Sequence, residues 1–158
     1  MREKTCCFTG HRKIPAIKKK AVVQQLKTEI IALINQGYLY FGVGGALGFD
    51  TLAAEAIIEL RKQYPHIKLI LVLPCETQTK GWKAKDVEIY DEIKHRADKI
   101  VYTSREYTRG CMHKRNRHLV DNSSVCIAYL TERTGGTAYT VYYATKHGLT
   151  IRNIADLL

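Results

Sequence analysis

No segment of the 158-residue chain approaches the roughly 20 consecutive apolar residues that a membrane-spanning helix needs. The opening MREKTCCFTG has too short an apolar run for the ~7–15-residue core of a secretory signal. A cytoplasmic protein with no membrane partner is therefore expected. Cysteine is present but unpatterned: Cys6, Cys7, Cys75, Cys111 and Cys126 are odd in number and contain no CxxC pair, which argues against a disulfide framework or a structural zinc site. Cys111, His113 and His118 lie close together but lack a second ligand pair, so no metal is expected there. Internal repeats, low-complexity tracts and Pro/Gly/Ser linkers are all missing, and residues 1–158 read as one domain. Acidic residues are the minority, 15 against 25 Lys and Arg, giving a net charge of +10. That imbalance favours anionic partners without choosing between nucleic acid, membrane surface and small phosphates. The tract Lys18-Lys19-Lys20, at the start of a helix, reads as a solvated face.

What is present is an alternation of short apolar runs with amphipathic stretches. Strands are predicted over Thr5–Thr9, Tyr38–Val43, Lys68–Leu73, Ile100–Tyr102 and Val125–Leu130, and Thr150–Ile154 is a last strand or an extended tail. Helices are predicted over Ala16–Gln36, Asp50–Tyr64, Asp86–Ala97, Met112–Asp121 and Thr137–His147. The clearest is the second, where Ala53, Ala56, Ile57, Leu60 and Tyr64 keep the helical spacing along one face. Lys68–Leu73 alternates too little to be half exposed and suits a strand covered on both sides. Strand–helix alternation without hairpin signals predicts an α/β fold, a Rossmann-like three-layer sandwich around a mostly parallel sheet. In such sheets ligands bind beyond the carboxyl ends of the strands.

Four segments leave those ends. In FTGHR, Gly10 lets the chain turn directly after Thr9, and His11 and Arg12 project over the sheet edge; the Arg fork suits phosphate or carboxylate. In FGVGGALGFD, Gly42, Gly44, Gly45, Ala46 and Gly48 connect a strand to a helix, an arrangement that points backbone N–H groups at an anion. No Gly-Lys-Ser/Thr follows, and the glycines do not keep GxGxxG spacing, which weakens a dehydrogenase reading. Asp50 serves there either as the helix N-cap or as an acceptor for ribose hydroxyls. In CMHKRNRHLVDN, Arg115, Asn116 and Arg117 crowd the start of a helix, where cations oppose the macrodipole unless an anion offsets them. In TERTGGTAYT, Gly135, Gly136 and Thr137 form a second glycine turn before a helix. Two such turns beside two Arg-bearing segments point to a nucleotide or multiply phosphorylated ligand. Trp82, after Pro74, is placed either to cover a base or to anchor a loop.

On CCFTGHR, GGALGFDTLAAEA, RNRHLVDNSSVCIAYL and TGGTAYTVYYA, in order and across nearly the whole chain, the sequence resembles the SLOG superfamily and, within it, small bacterial YpsA-type proteins. The resemblance implies a Rossmann-like fold with a pocket for nucleotides or NAD-derived ligands. Related phosphoribohydrolases of the "lonely guy" type carry a Met-His-Glu-Arg-Lys segment, matched here by Met112, His113 and Arg115, with Lys114 in place of the Glu and Asn116 in place of the Lys. They also carry Pro-Gly-Gly-x-Gly-Thr-x-x-Glu, matched by Gly135 and Gly136, with Thr134, Ala138 and Tyr142 at the Pro, third Gly and catalytic Glu. The resemblance thus implies that the binding half of that site persists while its carboxylate is lost, with Arg115 the one catalytic residue carried over; Asp50 or Glu132 could replace the carboxylate only if the fold delivers one there. The DNA-processing relatives, similar around the Gly-rich loop and the RNR segment, imply single-stranded DNA as a partner, with Tyr38, Tyr40, Tyr139, Tyr142 and Tyr143 as stacking candidates. Helix-mediated homodimers in the superfamily make a homodimer an open expectation.

The resulting expectation is a non-catalytic sensor or sequestering module that holds a nucleotide, ADP-ribose-like or NAD-derived, and needs no other cofactor. A nucleotide N-glycosidic-bond hydrolase and a single-stranded DNA-binding or division-linked adaptor are the alternatives.

Overall fold

The computed structural model describes residues 1–158. Six strands, β1 (Thr5–Gly10), β2 (Tyr40–Val43), β3 (Lys68–Leu73), β4 (Lys99–Tyr102), β5 (Val125–Tyr129) and β6 (Thr150–Asn153), form one sheet in the order β4-β3-β2-β1-β5-β6. Every neighbouring pair is parallel. The helices between them are α1 (Ala16–Asn35), α2 (Phe49–Leu60), α3 (Ala84–Arg96), α4 (Cys111–Asp121) and α5 (Gly136–Lys146), with short 3₁₀ turns at Arg2–Lys4 and Ile154–Leu157. The predicted Rossmann-like α/β sandwich is the fold found, and its sheet is wholly parallel.

The strand sequences explain the two layers of core. Alternate side chains of a strand face opposite sides of the sheet. Cys6, Phe8, Leu69, Leu71, Leu73, Ile127 and Tyr129 enter the core beneath α1, α2 and α3. Cys7, Val72, Cys126 and Ala128, one position out of phase, pack with Leu119, Val120 and Ala144 of α4 and α5. The first cluster holds 26 buried residues and the second 8, so the α1–α3 side supplies most of the apolar burial. All five cysteines are free and buried, acting as small apolar packers in this fold.

Several boundaries differ from the sequence reading for local reasons. Helix α2 stops at Leu60 rather than Tyr64; Tyr64 N–H still reaches the Leu60 carbonyl, but through a turn that carries the chain to β3. The segment from Thr150 is a true strand, since it pairs with β5 from Val125↔Thr150 to Ala128↔Asn153. The N-cap position of α2 belongs to Gly48, whose φ is +76°, and not to Asp50. No helix is long and apolar enough to cross a membrane.

Candidate functional site at the β1/β5 switch point

The chain builds outward from β1 to β4 on one side, then returns to lay β5 and β6 on the other. Beyond the carboxyl ends of β1 and β5 the connections therefore diverge to opposite faces, and a crevice opens without any side chain having to be removed. A cavity of about 270 Å³ occupies that crevice, lined by Thr9, Gly10, His11, Arg12, Ala46, Asp50, Met112, Arg115, Asn116, Gly136 and Thr137. All four segments singled out in the sequence contribute to it.

The first loop is fastened on both sides. His11 N–H donates to the Tyr129 carbonyl at 3.4 Å, and the His11 carbonyl accepts from Phe49 N–H at 3.1 Å. The imidazole Nε2 accepts from Thr131 N–H at 2.9 Å, which ties the loop after β1 to the loop after β5 and leaves the ring proton on Nδ1. Gly10 is obligatory because the Phe49 ring, stacked on Tyr129 at 6.0 Å, fills the space a Cβ would need. Gly48 is obligatory too, since a Cβ there would overlap the Arg12 carbonyl. Arg12 itself is exposed at the mouth.

The structure corrects the expectation that Arg115, Asn116 and Arg117 crowd the start of a helix: α4 begins at Cys111, so they lie in its middle, beyond the first turn where the macrodipole acts. Arg115 is set apart by its burial instead. It is 4% exposed, turned inward from the helix. Its Nη1 donates to the Gly44 carbonyl and its Nε to Asn116 Oδ1 at 2.7 Å. A Cβ on Gly44 would sit 2.6 Å from Nη1, so the glycine makes room for the guanidinium. Asp50, 6% exposed, accepts from Ala46 N–H at 3.1 Å and closes the glycine-rich turn on itself. Burial pushes the Asp50 carboxyl above its ordinary range, against the opposing pull of the Arg115 guanidinium, the Ala46 N–H and Arg12. Burial likewise lowers the Arg115 guanidinium, and Asp50 opposes this. A buried cation and a buried carboxyl thus share the cavity wall, each moderating the desolvation of the other.

The second glycine turn places the N-terminus of α5 in the same cavity. Gly135 is the N-cap residue, with φ at +103°, and no side chain caps the helix. The first-turn N–H groups beginning at Gly136 and Thr137 therefore carry the positive end of the helix dipole without a protein acceptor above them. Thr137 adds a hydroxyl at the rim. The cavity as a whole offers donors and positive potential on several sides, with one carboxyl that burial favours neutralising.

Some sequence candidates stand elsewhere. Gly44, Gly45 and Gly135 do not line the cavity: the first two shape the turn behind it and the third sets the start of α5. Tyr142, which stands at the carboxylate position of the phosphoribohydrolase motif, is 61% exposed, with the Lys146 ammonium 5.2 Å from its ring centroid. Glu132 is exposed on the loop before α5 and outside the cavity, whereas Asp50 is inside it. Trp82 lines an adjoining cavity of about 540 Å³ together with Arg12, Thr77, Gln78, Lys80, Tyr107 and Met112. Arg12 and Met112 belong to both spaces and mark where they meet. Gln78 and Tyr107 carried no sequence signal; their only clue was that they follow the carboxyl ends of β3 and β4.

A parallel α/β domain with a donor-rich crevice at its topological switch point belongs to the Rossmann-like class of ligand-binding folds. Within that class the family model described as the YspA SLOG family matches residues 6–154, and the chain belongs to this family. UPF0398 proteins are its relatives: one from Bacillus thuringiensis (strain Al Hakam) is 30% identical over 141 residues, covering 87% of this chain and 74% of the relative. Another from Brevibacillus brevis is 31% identical over 134 residues, covering 83% and 69%. The fold is also similar to DNA processing protein A from Helicobacter pylori, solved for its single-stranded DNA binding mode, with a TM-score of 0.64 at 18% identity. DNA processing protein A from Streptococcus pneumoniae gives 0.63 at 18%. This chain spans 63% and 49% of those two proteins, and 93% and 94% of it is covered.

Proposed function

We propose that the protein binds a phosphate-bearing nucleotide, ADP-ribose-like or NAD-derived, and holds it as a sensor or sequestering module. The observation that carries this reading is the meeting of the uncapped N-terminus of α5, Arg12 and buried Arg115 around one crevice, beside Ala46 and Asp50 of the glycine-rich segment. Uncapped helix N–H groups and guanidinium forks both recognise phosphate oxygens, and together they favour a ligand with more than one anionic centre. Family membership supports a nucleotide-related role in general terms. The test is mass spectrometry of small molecules released by denaturing the purified protein. A nucleotide recovered from wild type and lost in Arg12→Ala supports the reading; recovery of none, with no ADP-ribose binding by calorimetry, contradicts it.

One observation favours a hydrolytic alternative. Asp50 sits in the cavity with Arg115, and burial inclines its carboxyl toward the neutral, proton-donating form. Positioned acid–base groups contribute about 10²–10⁴-fold to a rate. Incubation with AMP, NAD and ADP-ribose, followed by assay for free base, separates the two readings: turnover abolished by Asp50→Asn supports hydrolysis, and none above an Arg115→Ala control supports binding alone.

A further inference from the structure

The adjoining cavity contains a buried polar group without a partner. Gln78 is 6% exposed, yet its carboxamide Nε2 donates to nothing. Its Oε1 accepts from the Tyr90 hydroxyl at 3.3 Å, which leaves the NH₂ over. Tyr90 is itself fixed, with Trp82 edge-on to its ring at 5.4 Å and 82°. An unpaired buried donor is destabilising, and persists most readily where a ligand completes it. Two aromatic rings stand in the otherwise mostly polar wall around Gln78. Trp82 is packed against the core on one side, and Tyr107, 66% exposed on the segment between β4 and α4, lines the same space. A planar ring with an acceptor on its edge satisfies both features, the NH₂ by hydrogen bonding and the rings by stacking.

We propose that Gln78, Trp82 and Tyr107 form a base subsite, in which a rotation of the buried Gln78 carboxamide brings Nε2 to a ring nitrogen or carbonyl of a nucleobase whose sugar–phosphate runs past Arg12 and Met112 into the switch-point crevice. This rests on the nucleotide reading above and adds to it the part of the ligand that confers selectivity. The subsite explains why Arg12 and Met112 border both spaces: they lie along the path of one ligand.

Trp82 is the only tryptophan, so its emission reports on this subsite alone. Ribose 5-phosphate, which has a phosphate but no base, is titrated beside AMP, GMP, CMP, UMP and ADP-ribose by calorimetry and by Trp82 fluorescence. At least one base-bearing ligand is expected to bind about tenfold or more tighter than ribose 5-phosphate and to alter Trp82 emission, while ribose 5-phosphate binds without altering it. Gln78→Ala and the near-isosteric Gln78→Met, each with unchanged far-UV circular dichroism, are expected to remove that advantage and leave ribose 5-phosphate affinity within twofold. Equal affinity of ribose 5-phosphate and every base-bearing ligand in wild type overturns the base subsite and leaves the phosphate crevice standing. Gln78 variants that weaken both kinds of ligand alike also overturn it. Base-bearing ligands that bind with a Trp82 response through Gln78, while Arg12→Ala and Gly136→Val change nothing, uphold the subsite and overturn the phosphate reading; no binding by any probe overturns both.

Discussion

At the scale of single residues, Arg115 and Asp50 form the centre of the site. Removing the guanidinium leaves the Gly44 carbonyl and Asp50 buried without it, so Arg115→Met is expected to lower stability by about 2–4 kcal/mol in urea unfolding. A change under about 0.5 kcal/mol would place Arg115 outside the structural frame. Asp50 sets a pH dependence. Its folded pKa is raised above the ordinary value of 3.8, mainly by burial, so the folded state holds the proton more tightly than the unfolded chain. Its contribution to stability therefore falls as pH rises from about 4 through the raised value. An anion in the crevice favours the neutral form further, so ADP-ribose, whose pyrophosphate stays ionised, is expected to bind more tightly as pH falls through that range. Asp50→Asn is expected to flatten the calorimetric profile; an unchanged slope contradicts the assignment. At this scale the sequence was partly legible. The run Arg115-Asn116-Arg117 drew attention to Arg115, but the helix-start argument for it fails because the run lies mid-helix, and its inward turn was not legible because that depends on Gly44 in the turn after the distant strand β2. Gln78 was invisible, since an unpaired amide exists only relative to the groups around it.

At the scale of elements, the two glycine turns make separable demands. Gly48 has positive φ and lies against the Arg12 backbone, so Gly48→Ala is expected to cost more than about 2 kcal/mol of stability. Gly136 has no heavy atom within 4 Å of a built Cβ and an ordinary φ, and it lines the crevice. Gly136→Val is accordingly expected to leave the melting temperature within a few degrees of wild type while weakening ADP-ribose binding at least tenfold. A variant that both folds and binds normally would show that the N-terminus of α5 takes no part. The strand and helix types were all legible because a buried parallel strand and an amphipathic helix each impose their own apolar period. The capping of α2 was not: an aspartate at the start of a helix has the chemistry of a cap, and only the positive φ of Gly48 shows that the helix had already begun.

At the scale of the whole molecule, strand order makes the site. A sequence that alternates strand and helix does not say where the sheet reverses direction, and the β1/β5 junction emerges only when β5 is laid beside β1. The order of segments in the chain nonetheless placed all four loops on one edge, because every parallel strand ends there. The charge of +10 bears on the competing single-stranded DNA reading. Binding of an oligo(dT) strand by a diffuse basic surface is expected to weaken more than tenfold between 50 and 200 mM salt, whereas ADP-ribose in the crevice is expected to change less than threefold. Parallel titrations by fluorescence anisotropy and calorimetry measure both. The most direct measurement is a crystal structure of the protein with ADP-ribose. The account predicts phosphate oxygens within hydrogen-bonding distance of the Gly136 and Thr137 N–H groups, with the Arg12 fork closing over them. A ligand bound instead in the groove that Glu55 and Glu59 of α2 form with Lys85 and Glu88 of α3, or a crevice left empty at saturating concentration, contradicts it.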